Sequence, residues 1–288
     1  MTGASDDLRA WLAGQVRELV VGPAADEQRA TILDGPGERW FEAGSEIHRV
    51  HADSAMFVGG LRALLLQALH PLAMAGVADH SDYRHDPWGR LQRTAYFLAA
   101  TTFGTAEQAE AAVARVRAVH ERVTGVAPDG RPYAANDPHL LRWVHLAEID
   151  SFLAAHQRYG AEPLTPVEAD RYVAQTAVIA RALGVPAPPE SVQALRDQLR
   201  AFRRELQGTS QARDVARYLL WQPPLSLPGR VAYGVLASAA VALLPPWARR
   251  PLRLPWLPVT EAVAVRPAGE AFTRTLRWAL QAPDAAPG

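Results

Sequence analysis

An all-α fold in a single domain spanning residues 1–288 is what this sequence predicts, and three observations predict it. Apolar residues recur at a period of 3.6 in nearly every segment and at a period of 2 in few. The segment ends carry helix punctuation, with Ser or Thr caps, prolines at first positions and glycines at the far ends. No internal repeat and no flexible linker divides the 288 residues, and that length can bury a substantial core.

The elements follow in order. Asp6–Leu19 reads as a helix with Ser5 as its N-cap. Ala52–Leu72 reads as one long apolar helix, whose Gly59-Gly60 pair would let another element approach closely. Trp88–Phe103 ends at Gly104, and Thr105-Ala106-Glu107-Gln108 is a capping-box pattern that opens a helix to about Thr124. Gly125–Asp137, with its glycines and prolines, reads as a loop, and Pro138–Tyr159 as a helix stopped by Gly160. Thr165-Pro166-Val167-Glu168 sets a cap and a first-turn proline before a helix reaching Leu183-Gly184. Pro189–Leu206 is amphipathic with an Arg-rich outer face; Thr209–Trp221, Val231–Leu244 and Gly269–Leu280 complete the set. The Pro245–Pro258 stretch holds Trp247, Leu252, Leu254, Trp256 and Leu257, too many large apolar groups for a free tail. Val231–Leu244 is 14 residues long and runs into Pro245-Pro246. A spanning helix needs roughly 20 residues, so this one is expected to be buried or interfacial, able to touch a membrane only peripherally.

Composition removes several chemistries. Lys+Arg and Asp+Glu both total 30, the net charge is zero and no basic block stands out, which argues against a nucleic-acid partner. All the basic residues are arginine, so a Schiff-base lysine is excluded, and the absence of cysteine excludes thiolate nucleophiles, zinc–cysteine sites, iron–sulfur clusters and a Cys-ligated haem. The first twenty residues lack the basic-then-apolar pattern of a secretion signal, so a cytoplasmic location is expected. All nine histidines precede residue 157, which directs the search for chemistry to that part of the chain.

Four groups of residues could carry it. In the helix opened by Thr105, His120 falls four after Val116 and three before Val123, in an apolar stripe with Ala109, Ala112, Val113 and Val119. It is either a core histidine bonded to a carbonyl or a metal or haem ligand. On the preceding helix Arg90, Arg93, Thr94, Phe97 and Thr101 recur at steps of three and four. Those arginines serve either an interhelical salt bridge or an anionic group, haem propionates included. His145 and Glu148, three apart, can pair or share a metal, but Glu-x-x-His, the di-iron order, is reversed here and occurs once. The Asp79–Asp86 loop, with His80 and His85, is dense in hard ligands and equally reads as a solvated loop. His48 and His51 share a face if a helix begins there. No nucleophile elbow, phosphate loop or HExxH motif is present.

Taken in order, several pieces resemble the latex-clearing protein (rubber oxygenase) and mpaB-type oxygenase family. They are Leu69-His70-Pro71, His80-Ser81-x-Tyr83, Asp86-Pro87 leading into Arg90-Leu91-Gln92-Arg93-Thr94, and Phe103-Gly104. The series continues through Val116-Arg117-x-x-His120, Gly125, Tyr133-x-Ala135-x-Asp137-Pro138, Trp143-Val144-His145 and Asp150-Ser151, so the likeness covers about residues 30–255. The N-terminal helix and the C-terminal Pro-rich segment with its helix then stand as extensions. The resemblance implies a globin-related all-α domain enclosing one haem b, with His120 as the iron's ligand. It places the family's Arg-x-x-Lys-Thr pattern on Arg90, Arg93 and Thr94, where Arg93 replaces a lysine that can reach the iron; a guanidinium cannot ligate. Arg93 and Thr94 are then expected to line the oxygen side, Arg90 to anchor a propionate or orient Thr94, and His145 to support the pocket. The family's glutamate upstream of this pattern has no counterpart in His70–Ala78, so polyisoprene cleavage is not expected. The function expected is a haem-dependent oxygenase or oxidoreductase that uses O2 or peroxide. Its substrate would be a small apolar molecule, an isoprenoid or a secondary-metabolite intermediate. The alternatives are a non-haem metal enzyme built on the His80–Asp86 loop and a non-enzymatic helical protein that binds a hydrophobic ligand.

Overall fold

Where the sequence reads one helix over Ala52–Leu72, the computed structural model, which describes residues 2–22 and 25–280, has two. α4 (Met56–Gln67) and α5 (Pro71–His80) meet at 106°. Pro71 is the reason: the pyrrolidine ring disfavours helical backbone at His70, which is extended at φ −86°, ψ 115°, while Pro71 itself sits well at the start of α5. The apolar period continues across the corner because both helices face the same core.

Before this corner lie α1 (Thr2–Val20), α2 (Ala25–Asp34) and α3 (Glu46–His51). α1 begins at Thr2, so Ser5 lies inside the helix and does not cap it. α6 (Pro87–Phe103) is capped by Asp86, whose carboxylate accepts from the Gly89 backbone N–H at 2.9 Å. α7 (Ala106–His120) opens with the expected capping box, both of its hydrogen bonds present between Thr105 and Gln108. The segment read as a loop contains a hairpin, β1 (Thr124–Val126) against β2 (Pro132–Ala134), in antiparallel register with Gly125 opposite Tyr133. Gly130, at φ 85°, turns it. Strands of three residues are too short to show alternation, so periodicity could not reveal them.

α8 (Pro138–Tyr159) runs as expected through the centre of the fold. Its closest neighbour is α4, and Gly59 makes that approach possible: a Cβ there would stand 3.0 Å from Phe152 Cδ1 and 3.2 Å from the Ser151 carbonyl oxygen. Gly60 meets nothing within 4 Å. α9 (Pro166–Leu183) and α10 (Val192–Phe202) cover other sides of α8, and together they enclose Leu65, Leu66, Leu69, Trp143, Leu146, Tyr172, Leu195 and Phe202. α11 (Ser210–Trp221) packs on α4 and α5. α12 (Leu227–Leu243) lays Ala237, Ala239 and Ala240 against Val58, Ala155 and Tyr159, and so packs into the protein along α4. Buried Arg62 ties these helices, donating to Asp150 at 2.7 Å, to Ser151 at 2.6 Å and to the Leu243 carbonyl at 3.0 Å. A short α13 (Pro246–Arg249) follows, and α14 (Pro258–Thr260) passes through a π-helical turn (Glu261–Val265) into α15 (Arg266–Leu280), which packs on α12 and α1. The domain is mostly helical. Among the described residues no single helix is long and apolar enough to cross a membrane.

Candidate functional site

The helices around α8 do not all pack on it equally closely. α6 and α7 pack closely on each other, α7 rests on α9, and α3 bridges α6, α8 and α9, yet neither α6 nor α7 packs closely against α8. Val144, His145 and Glu148 on α8 lie deep in the fold but keep some accessible surface. Phe97 and Leu98 of α6 and Val116 at the end of α7 are likewise half-buried.

Burial governs the chemistry of this face. His145 is pushed down to about 4 by desolvation, and its Nε2 is buried with no hydrogen-bond partner among the described residues. Glu148, one turn on, is pushed up to about 7 by burial, which outweighs the hydrogen bond from the Gln67 side chain. A carboxyl with that pKa exchanges its proton near neutrality. Behind it Tyr172 of α9 is fully buried; burial and the nearby Glu148 carboxyl hold its phenol well above the usual value. His51 lies beside that phenol, its Nε2 3.3 Å from the hydroxyl and its Nδ1 2.8 Å from Thr102 Oγ1, and burial drives it down to about 3. Sequence reasoning missed Gln67, Thr102 and Tyr172. Gln67 alone carried a signal, as the one polar residue in the run Ala63-Leu64-Leu65-Leu66-Gln67-Ala68-Leu69, whereas Thr102 and Tyr172 sit where ordinary helix faces place such residues.

The structure places the expected site residues as follows. His120 closes α7, half-buried, with its pKa lowered by burial. Its ring makes no hydrogen bond, ion pair or ring contact among the described residues, so it is not a core histidine tied to a carbonyl. The buried stripe of α7 is shorter than expected, Ala109, Ala112 and Val113, and Val119 is exposed. Arg90 is deep enough for desolvation to lower its pKa; it donates to Ser81 Oγ at 2.8 Å and has no carboxylate partner among the described residues. The interhelical salt bridge considered for it is absent there. Thr94 is exposed and gives its hydroxyl to the Arg90 carbonyl at 3.0 Å. Arg93 departs from expectation. Its side chain is 69% exposed and pairs with Asp86 at 3.0 Å, so it lies at the surface and does not line a pocket. Seven residues is two helical turns, which sets the Asp86 cap carboxylate directly beneath Arg93. The His80–Asp86 loop does not gather a metal site either: His85 pairs with Asp82, and His80 meets the Thr124 carbonyl at 3.0 Å.

These donors suit a haem. An imidazole with unspent ring nitrogens, kept neutral by burial, could ligate the iron of such a group, and a deep guanidinium without a carboxylate could pair with a propionate. Phe97, Val116 and Val144 supply apolar surface. A family model described as "ER-bound oxygenase mpaB/B'/Rubber oxygenase, catalytic domain" matches residues 48–279. The match begins later than the expected 30 and runs past 255, taking in nearly all of α15. Comparison with curated proteins and with solved structures gave no match.

Proposed function

The chain belongs to the mpaB/rubber oxygenase catalytic-domain family, and from that premise we propose that it is a haem b-dependent oxidoreductase acting on a small apolar substrate. The haem would supply the redox chemistry with O2 or peroxide. His120 holds the iron through a ring nitrogen, and the observation that carries the reading is that this ring is bonded to nothing else among the described residues. Arg90 takes a propionate, with Ser81 steadying the guanidinium. His145, neutral at pH 7, offers an unpaired Nε2 from α8. Glu148, poised near neutrality, holds or releases a proton there while Gln67 orients it. Phe97, Val116 and Val144 exclude water and favour an apolar substrate, an isoprenoid or a secondary-metabolite intermediate.

The test is an absorption spectrum of protein expressed with added haem precursor, beside His120→Ala prepared identically. The reading expects a Soret band at close to one haem per chain, lost or strongly altered in the variant. An unchanged band would move the ligand role to His145, and no band in either sample would overturn the haem reading.

A further inference from the structure

A second group of ligands lies at the α4–α5 corner. His70 stands at the bend, His139 in the first turn of α8, and Glu205 just past the end of α10. One ligand atom from each lies within 4.8 Å of the others. The Glu205 Oε2 atom is 2.7 Å from His139 Nε2 and 3.5 Å from His70 Nε2. The chain around Glu205 is fixed against the corner, since the Gln207 N–H donates to the Leu69 carbonyl at 2.7 Å and the Glu205 N–H to the Phe202 carbonyl at 2.9 Å.

His70 shows that this is more than a surface ion pair. Its side chain is 2% exposed, its Nδ1 has no hydrogen-bond partner among the described residues, and its Nε2 has only the 3.5 Å approach of Glu205, although a buried imidazole ordinarily finds closer partners. Its neighbours are rings, Trp143 and Phe202 each at 6.2 Å between centroids, and Phe202 also stacks on His139 at 4.5 Å. The apolar wall fixes the two imidazoles, and Glu205 closes the third side. Arg131, the cation nearby, is engaged by Asp129 at 2.7 Å.

We propose that His70, His139 and Glu205 bind a divalent transition cation of the zinc class, with water completing the shell on the solvent side. Two imidazoles and a carboxylate form a borderline N/O donor set that suits zinc better than magnesium or calcium. Tetrahedral bonds of zinc to nitrogen and oxygen put neighbouring ligand atoms about 3.4 Å apart. His70 and Glu205 already stand at 3.5 Å, and His139 must withdraw from its 2.7 Å contact by about 0.7 Å, which exposed side chains allow. The ion clamps the α4–α5 corner to α8 and to the end of α10 with ligands other than His120, so its role is to stabilise the fold.

The test is titration of the haem-replete, chelator-dialysed full chain with ZnCl2, followed by calorimetry, with His139→Ala and Glu205→Gln alongside. Both substitutions are at exposed positions and leave the fold and the Soret band in place. The proposal expects one saturable zinc per chain, a rise in Tm with zinc, and at least tenfold weaker binding in each variant. No saturable binding by the parent protein, or unchanged affinity in His139→Ala and Glu205→Gln, would overturn it.

Discussion

Glu148→Gln changes how stability depends on pH, and the structure sets the size of the change. In the unfolded chain the carboxyl titrates near 4.5; in the fold burial raises it to about 7. The folded state therefore holds this proton more tightly, and the stability it contributes is fully present below pH 4.5 and lost as pH rises through 7. At about 1.4 kcal/mol for each tenfold change in proton affinity, the loss at high pH is about 3 kcal/mol. Glutamine keeps the shape and removes the titration. The variant should gain on the parent protein by roughly 5–10 °C in Tm between pH 5 and pH 9. Scanning calorimetry of both haem-free proteins across that range measures it. His145, lowered by burial to about 4, has the opposite sign, its stability held above pH 6.5 and lost toward pH 4. It titrates in both proteins and cancels in the comparison. A Tm difference that stays constant across that pH range would refute the account of Glu148.

Gly59→Ala should cost roughly 1–3 kcal/mol by urea unfolding, because the new methyl meets Phe152 and the Ser151 carbonyl, whereas Gly60→Ala, with open space, should be neutral or stabilising; equal effects would contradict the packing described. Arg90→Ala should lower the haem retained after purification, read from the Soret absorbance. Arg93→Ala removes an exposed pair with Asp86 and should leave that absorbance unchanged.

What could be read from the sequence was local. The capping box at Thr105 with Gln108 and the Thr165 cap with its first-turn proline formed as written, and α8 has the predicted bounds, because caps, prolines and glycines act on backbone within four residues. The Gly59 approach was also legible, since a glycine in an apolar helix leaves space for a neighbour, but the neighbour, α8, was not. The break at His70-Pro71 was hidden by an apolar period that continues through it. In the candidate site, spacing led to His120, His145, Glu148 and Arg90, but it also led to Arg93, which turns outward to Asp86.

The sequence by itself determined that the chain is helical, where most helices begin and end, and that cysteine and lysine chemistry are absent. Tertiary structure decided how each histidine is used. His51 is spent on Thr102 and Tyr172, the rings of His120 and His145 are left without hydrogen bonds among the described residues, and His70 is brought, buried, to a glutamate from beyond α10. The reason is one of range. Helix formation is settled by backbone hydrogen bonds and sterics between near neighbours, whereas the state of a polar side chain depends on its desolvation and on partners that long-range packing brings to it.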